Sequence, residues 1–348
     1  WATTAASIGL VEAPAPWFAA ALALLAEAAS APQFAPAEVA RLTAQRLAEL
    51  GQLRTSAGRL ANWLLRSTVL DPAHRSARLS GGGRASVAAI QAADVQAFHA
   101  RCYGPGAATL IVAGDLPASA VQEAAEAAFG SWEHSVIPTS HEPAWPAARR
   151  RRLIHRPGAV QADIRLGTWG PDRRDPLWPA FQVASVIMGG GFASRLNQAL
   201  REERGWTYDV SVTPHALRQG GWICLATSTQ TATAVPLIEE SLGLLALEAG
   251  GFSEAERRDA VGFLTGVAPL SFSTADAVTG HGAGLASHGL DPQTAEAELE
   301  ALAQVTAAEA EAAWRTFIDP DQMSLVVLGD GDQLAGPLAL TPEPLPQL

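Results

Sequence analysis

GGGFASRLNQALREERGWTY, residues Gly189 to Tyr208, is the stretch whose reading decides the fold. After a three-glycine hinge, Phe192, Leu196, Ala199 and Leu200 recur at helical spacing. They predict a short helix with that side inward and Arg195, Gln198, Glu202 and Glu203 in water. Gly205 predicts the helix stop. Tyr208, Val210 and Val212 alternate with polar residues and predict a half-buried strand. Arg201 and Tyr208 thus flank one helix-to-strand turn. A guanidinium offers a rigid fork of donors and a phenol adds another, which suits the carbonyl oxygens of an extended peptide. The alternative is that Arg201 shares a solvated face with Glu202 and Glu203 and that Tyr208 is only a strand former.

On either side of this stretch the pattern alternates helices with a few strands. Downstream, strands are expected near Val210, at Trp222 to Ser228 and at Ser324 to Leu328. Helices are expected at Ala234 to Glu248, Ser253 to Val267 and Thr274 to Ser287, with two more before the last strand. Upstream, Leu177 to Met188 reads as a helix. Val160, Ala162, Ile164 and Leu166 alternate with Gln161, Asp163 and Arg165 as a strand. Residues 134 to 152, with three prolines and the basic run Arg149 to Arg152, read as a solvated linker. Before it, helices are expected at Ala15 to Ser30, from Pro36 to Leu53, at Leu60 to Leu70, Ala92 to Cys102 and Ala118 to Phe129. Strands are expected at 5 to 11 and at Thr109 to Ala113.

The two halves repeat one another. Ala92 to Asp115 aligns with Ala307 to Asp330 at a constant offset, bringing Pro105 onto Pro320, Gly114 onto Gly329 and Asp115 onto Asp330. Phe34 and Phe252 each begin F-x-x-A-E. The division expected is 1–133 as the later part of a first domain, 134–152 as linker, and 153–348 as a second domain. On the repeat, the first copy lacks roughly 65 to 70 residues at its start, which are expected upstream of Trp1.

Composition narrows the function. The 348 residues are 48% hydrophobic and 17% charged, enough for packed cores in two domains. All 24 basic residues are Arg, and the net charge of −11 argues against nucleic acid as the main partner. No apolar run reaches membrane-spanning length. Two cysteines, Cys102 and Cys224, form no framework and fit a reducing compartment, so a cytoplasmic location is expected. Gly81 to Gly83 and Gly189 to Gly191 lack a P-loop Lys and read as hinges. There is no G-x-S-x-G elbow. Trp206, Trp222 and Trp314 fall at core positions, and His99 and His215 read as ordinary polar residues.

SRLNQALREERGWTY resembles the second-domain signature of the insulinase/pitrilysin-like zinc metallopeptidases, S-R-L, then L-R-E, then G and Y. The resemblance implies an α+β fold of two tandem homologous α/β sandwich domains, each an antiparallel sheet with helices, closing as a clamshell on a peptide. It implies that Arg201 and Tyr208, seven positions apart, grip the substrate backbone. It also implies a catalytic zinc on an inverted H-x-x-E-H helix, with a distant Glu as third ligand. No H-x-x-E-H or H-E-x-x-H occurs here; that helix is expected roughly 70 to 80 residues before Glu49, upstream of Trp1. Glu49, in QRLAEL, aligns with the third zinc ligand; its alternative is an exposed helix carboxylate. Active members carry a second Glu seven residues earlier, where this chain has Leu42, a residue that fits the apolar face of its helix.

That departure suggests the non-catalytic, peptide-gripping subunit of a heterodimeric peptidase, whose homologous partner holds the zinc. Two alternatives stand beside it. One is a complete zinc peptidase with its metal segment upstream; the other is a non-proteolytic scaffold of the same fold, as in respiratory complexes.

Overall fold

The computed structural model describes residues 6–132 and 149–348. The helices are α1 (Phe18–Ser30), α2 (Pro36–Thr55), α3 (Ala57–Val69), α4 (Arg84–Ala88), α5 (Ala92–Cys102) and α6 (Ala118–Phe129). Then come β1 (Arg151–His155), β2 (Gln161–Gly170), α7 (Trp178–Gly189), β3 (Val210–Ala216), β4 (Gly221–Gln230), α8 (Ala234–Leu245) and α9 (Glu254–Val267). The chain closes with α10 (Ala275–His288), α11 (Thr294–Gln304), α12 (Ala307–Phe317), β5 (Ser324–Gly329), α13 (Gly331–Leu338) and β6 (Pro342–Glu343). The fold is α+β.

The six strands form one mixed sheet in the order β3-β4-β2-β5-β1-β6. β2 pairs antiparallel with β4 and β5, and β3 antiparallel with β4, while β1 runs parallel to β5 and β6. The sheet is therefore not purely antiparallel, as the sequence reading expected. Every residue of β5 is buried, so both of its faces need cover. Leu325 and Val327 join the core built with Phe181 of α7 and Trp314 of α12. Val326 and Leu328 pack with Leu60, Leu64 and Leu65 of α3 on the opposite face. Trp314 is fully buried and its indole donates to Leu245 O at 2.9 Å; Trp206 and Trp222 are partly buried.

Packing divides the chain differently from the contiguous cut at 134–152. Within the described residues, one compact unit takes 6–49, 81–132 and 267–294, and the other takes 50–80, 149–266 and 295–348. The second includes α3, because the sheet's far face has to be covered by it. The expected linker lies mostly outside the described residues, but its end does not. Arg151 and Arg152 open β1, and Arg152 is held by Glu343 through Nη2 to Oε2 at 2.6 Å, so the basic run is not simply solvated.

In the other unit all regular structure is helical. Residues 109–113 enter no ladder among the described residues, and 6–11 form no strand beyond one bridge residue. Their apolar alternation is strand-like, but a strand exists only with a neighbour to pair, and β5, the repeat counterpart of 109–113, has β1 and β2. No single described helix is long and apolar enough to cross a membrane.

Candidate functional site: the helix-to-strand turn at Arg201 and Tyr208

The helix predicted after the glycines is present, but its last two turns, Asn197–Glu203, are π-helical. The Arg204 N–H reaches back five residues to Ala199 O at 3.1 Å, and the Trp206 N–H reaches Leu200 O at 3.0 Å. Such wide turns shift side chains around the axis relative to an α-helix and recur at functional sites. Gly205 is left-handed at φ +63°, which reverses the chain toward β3, as its stop role requires. Leu196 and Leu200 are fully buried. Phe192, expected on the same inward side, is instead 78% exposed, because residues 189–191 hold it outside the helical register.

Three arginines on this element have different fates. Arg195, expected in water, is saturated: Nε reaches Glu256 Oε1 at 2.6 Å, Nη2 reaches Glu256 Oε2 at 2.9 Å, and its Nη groups donate to Gly250 O and Gly251 O. It also stacks on Phe252 at 5.0 Å. Those hydrogen bonds from Arg195 hold the Glu256 carboxyl at about 2, far below the usual carboxylate range. Arg204 donates through Nε to both oxygens of Glu240 and lies 5.4 Å from the Trp206 ring centroid, its Nη groups making no hydrogen bond among the described residues. Arg201 is the exception in making no side-chain hydrogen bond among the described residues. Its Cζ lies 5.0 Å from the Phe192 ring centroid and 5.2 Å from that of Tyr208, and its one ion pair is a 3.4 Å approach of Nε to Glu202. Among the described residues its two Nη groups make no hydrogen bond.

Tyr208 is 85% exposed, yet its backbone is pinned on both sides. Thr207 Oγ1 lies 2.8 Å from Ser228 O and 2.9 Å from Asp209 O and Thr227 Oγ1. Thr229 Oγ1 donates to Trp206 O at 2.7 Å. The Tyr208 ring is thus exposed on a fixed backbone, beside an arginine whose Nη groups make no hydrogen bond among the described residues. The sequence reading missed these threonines and also Asn197; the alternation of Thr227 and Thr229 along β4 was visible, but not which turn they would hold.

Among the described residues Glu49 joins no group with metal-ligand proximity. Its carboxylate pairs with Arg46 one turn earlier at 3.1 Å and accepts from Gln45 at 3.1 Å, and its side chain is 44% exposed. Leu42, assigned to an apolar face, is 53% exposed, since only Leu50 and Leu53 of α2 are buried. Among the described residues the one group with metal-ligand proximity is His155, Asp330 and Asp332. There His155 Nδ1 accepts the Gly331 N–H at 2.9 Å and Asp330 caps α13, so both do structural work. The described residues therefore do not assemble a catalytic zinc site around Glu49.

Residues 89–262 match the family model described as the peptidase M16 inactive domain, and the chain belongs to that family. An uncharacterized zinc protease of Mycobacterium leprae is 28% identical over 194 residues, which are 53% of this chain and 42% of the relative. One of Mycobacterium tuberculosis is 31% identical over 134 residues, 37% of this chain and 30% of the relative. The chain thus spans less than half the length of these relatives. A solved peptidase M16 inactive domain from Pseudomonas fluorescens superposes with a TM-score of 0.81 at 26% identity, covering 89% of this chain and 74% of that one. A protease from Helicobacter pylori shares the fold at a TM-score of 0.80 and 19% identity, covering 90% and 77%.

Proposed function

We propose that this chain grips an extended peptide through Arg201 and Tyr208 as the non-catalytic subunit of a heterodimeric zinc peptidase, the zinc being held by a homologous partner. The observation that carries this reading is the contrast among the three arginines. Arg195 spends Nε and both Nη groups on protein acceptors and Arg204 spends its Nε on Glu240, whereas Arg201 makes no side-chain hydrogen bond among the described residues and lies beside two exposed rings. In that role Arg201 donates to peptide carbonyl oxygens and the Tyr208 hydroxyl donates to another. Both orient the backbone for attack elsewhere and displace water from it. The family's inactive domain, which the chain matches, supports a role in binding rather than in chemistry.

Peptide cleavage is to be measured for this chain mixed with a zinc-bearing homologue. Arg201→Ala should lower kcat/KM by about 10- to 100-fold, the loss of one or two charge-assisted hydrogen bonds, without lowering Tm. Tyr208→Phe should cost about three- to tenfold. Unchanged cleavage in both variants removes the grip.

A second reading has one observation in its favour: the M. leprae and M. tuberculosis relatives are named zinc proteases, and this chain spans only part of their length. On that reading the gene product is a complete zinc peptidase with H-x-x-E-H ahead of residue 1, and Glu49 leaves Arg46 to become the third ligand. Stoichiometric zinc and cleavage by the full-length product alone would establish it; no zinc alone, with activity on mixing, supports the gripping subunit.

A further inference from the structure

The grip is drawn from three separate pieces of backbone. Phe192 sits on the glycine loop, Arg201 on the π-helical turn, and Tyr208 just before β3. Phe192 and Tyr208 are 78% and 85% exposed, so neighbouring side chains do little to fix them. Their positions depend on how the three segments are tied together.

One buried side chain makes that tie. Asn197 is 4% exposed, begins the π-helical turn and lies four residues before Arg201. Its Nδ2 is 3.1 Å from Gly191 O in the glycine loop, 3.1 Å from Ser194 Oγ at the helix start and 2.8 Å from Val210 O in β3. Gly191 O is the carbonyl immediately before Phe192, and Val210 O lies two residues after Tyr208. The amide cannot be turned around, because its oxygen would then face two carbonyl oxygens. In this orientation Oδ1 is buried with no hydrogen-bond partner among the described residues, an arrangement that costs stability. An apolar side chain of the same size would leave no such orphan, so packing alone does not account for an amide here. The acceptors gathered on Nδ2 do.

We infer that Asn197 is a positioning residue for the peptide grip: its amide clips the Phe192 loop and the strand after Tyr208 to the helical turn that carries Arg201. This inference rests on the gripping role proposed above. Without the clip the loop and strand move independently of the turn, and the unpaired Nη groups of Arg201 lose the fixed placement that paired hydrogen bonds to a peptide backbone need.

The test is a double-mutant cycle read by equilibrium binding. The probe is a fluorescein-labelled, end-capped decapeptide of Ala, Leu and Thr, which offers carbonyl oxygens and no ionisable side chain. Its anisotropy is followed with the whole chain in complex with its zinc-bearing homologue. Arg201→Ala should weaken binding by about tenfold or more. Asn197→Ala should weaken it by about five- to tenfold with Arg201 present and by less than about twofold once Arg201 is Ala. Leu64→Ala, a cavity in the separate core on the opposite face of the sheet, should lower Tm with affinity unchanged, a pattern that separates positioning from general destabilisation.

Should Asn197→Ala fail to fold, the cycle is run with Asn197→Ser, which keeps one hydroxyl donor. Equal losses from the Asn197 substitution in both backgrounds, or no loss in either, overturn the inference while leaving the grip intact. No effect of Arg201→Ala overturns the grip itself, and the positioning role with it.

Discussion

Replacing Glu256 by Gln tests how the helix that carries Arg201 is anchored, through the pH dependence of folding. Glu256 accepts from Arg195 through both carboxylate oxygens and also from the Ser253 N–H and hydroxyl. Its carboxyl is held at about 2 against an ordinary value of 4.5. A depression of that size corresponds to at most ~3.5 kcal/mol at neutral pH. The side chain keeps 31% of its surface in water, and solvent screening brings the expected contribution to ~1–2 kcal/mol. The sign follows from the lowered value. The folded state holds the ionised carboxylate more tightly than the unfolded state does, so the contribution is complete above about pH 4.5 and is lost as pH falls toward 2. The assay is urea denaturation of the parent chain and Glu256→Gln at a series of pH values. The two should differ by ~1–2 kcal/mol at pH 7 and converge near pH 2. A difference that stays constant across that range, or none at pH 7, would refute the electrostatic anchoring of Arg195.

Two other outcomes follow from close packing. A Cβ on Gly189 would lie 2.6 Å from the Val212 backbone nitrogen, where no side chain can give way; Gly189→Ala should cost about 1–3 kcal/mol by thermal melting. Burial pushes the Cys224 thiol up to about 11, whereas Cys102 is only partly buried. A disulfide-exchange reagent at pH 8 should therefore titrate one fast thiol in the native chain and two after denaturation.

The helices were largely legible because their apolar periodicity is local: α5 and α6 span the expected Ala92 to Cys102 and Ala118 to Phe129. β1 was not legible. Its two arginines looked like linker, and only pairing with β5 and the Glu343 contact make them strand. Arg165 shows the same limit. Its alternation places it on a polar face, but α3 covers that face, and the buried guanidinium is satisfied by Ile164 O, Thr227 O and Gly58 O. Burial lowers its pKa, opposed by the Cys224 and Asp163 side chains nearby.

Around Arg201 and Tyr208, the spacing of the two residues was legible and the hydrogen bonding of the neighbouring arginines was not. Arg195 and Arg201 are both arginines on one short helix, and spacing predicted the first to be solvated. The structure ties it to Glu256, Gly250 and Gly251, acceptors more than fifty residues away in sequence.

Sequence alone determined the segments whose information is short-ranged: the apolar stripes, the glycine stop at Gly205, and the Arg201 and Tyr208 spacing. Tertiary structure decided which arginines find distant acceptors, that α3 belongs under the sheet, and that Asn197 clips three segments together. Each of these depends on hydrogen-bond acceptors or apolar faces contributed by distant parts of the chain, which a linear pattern does not bring into contact.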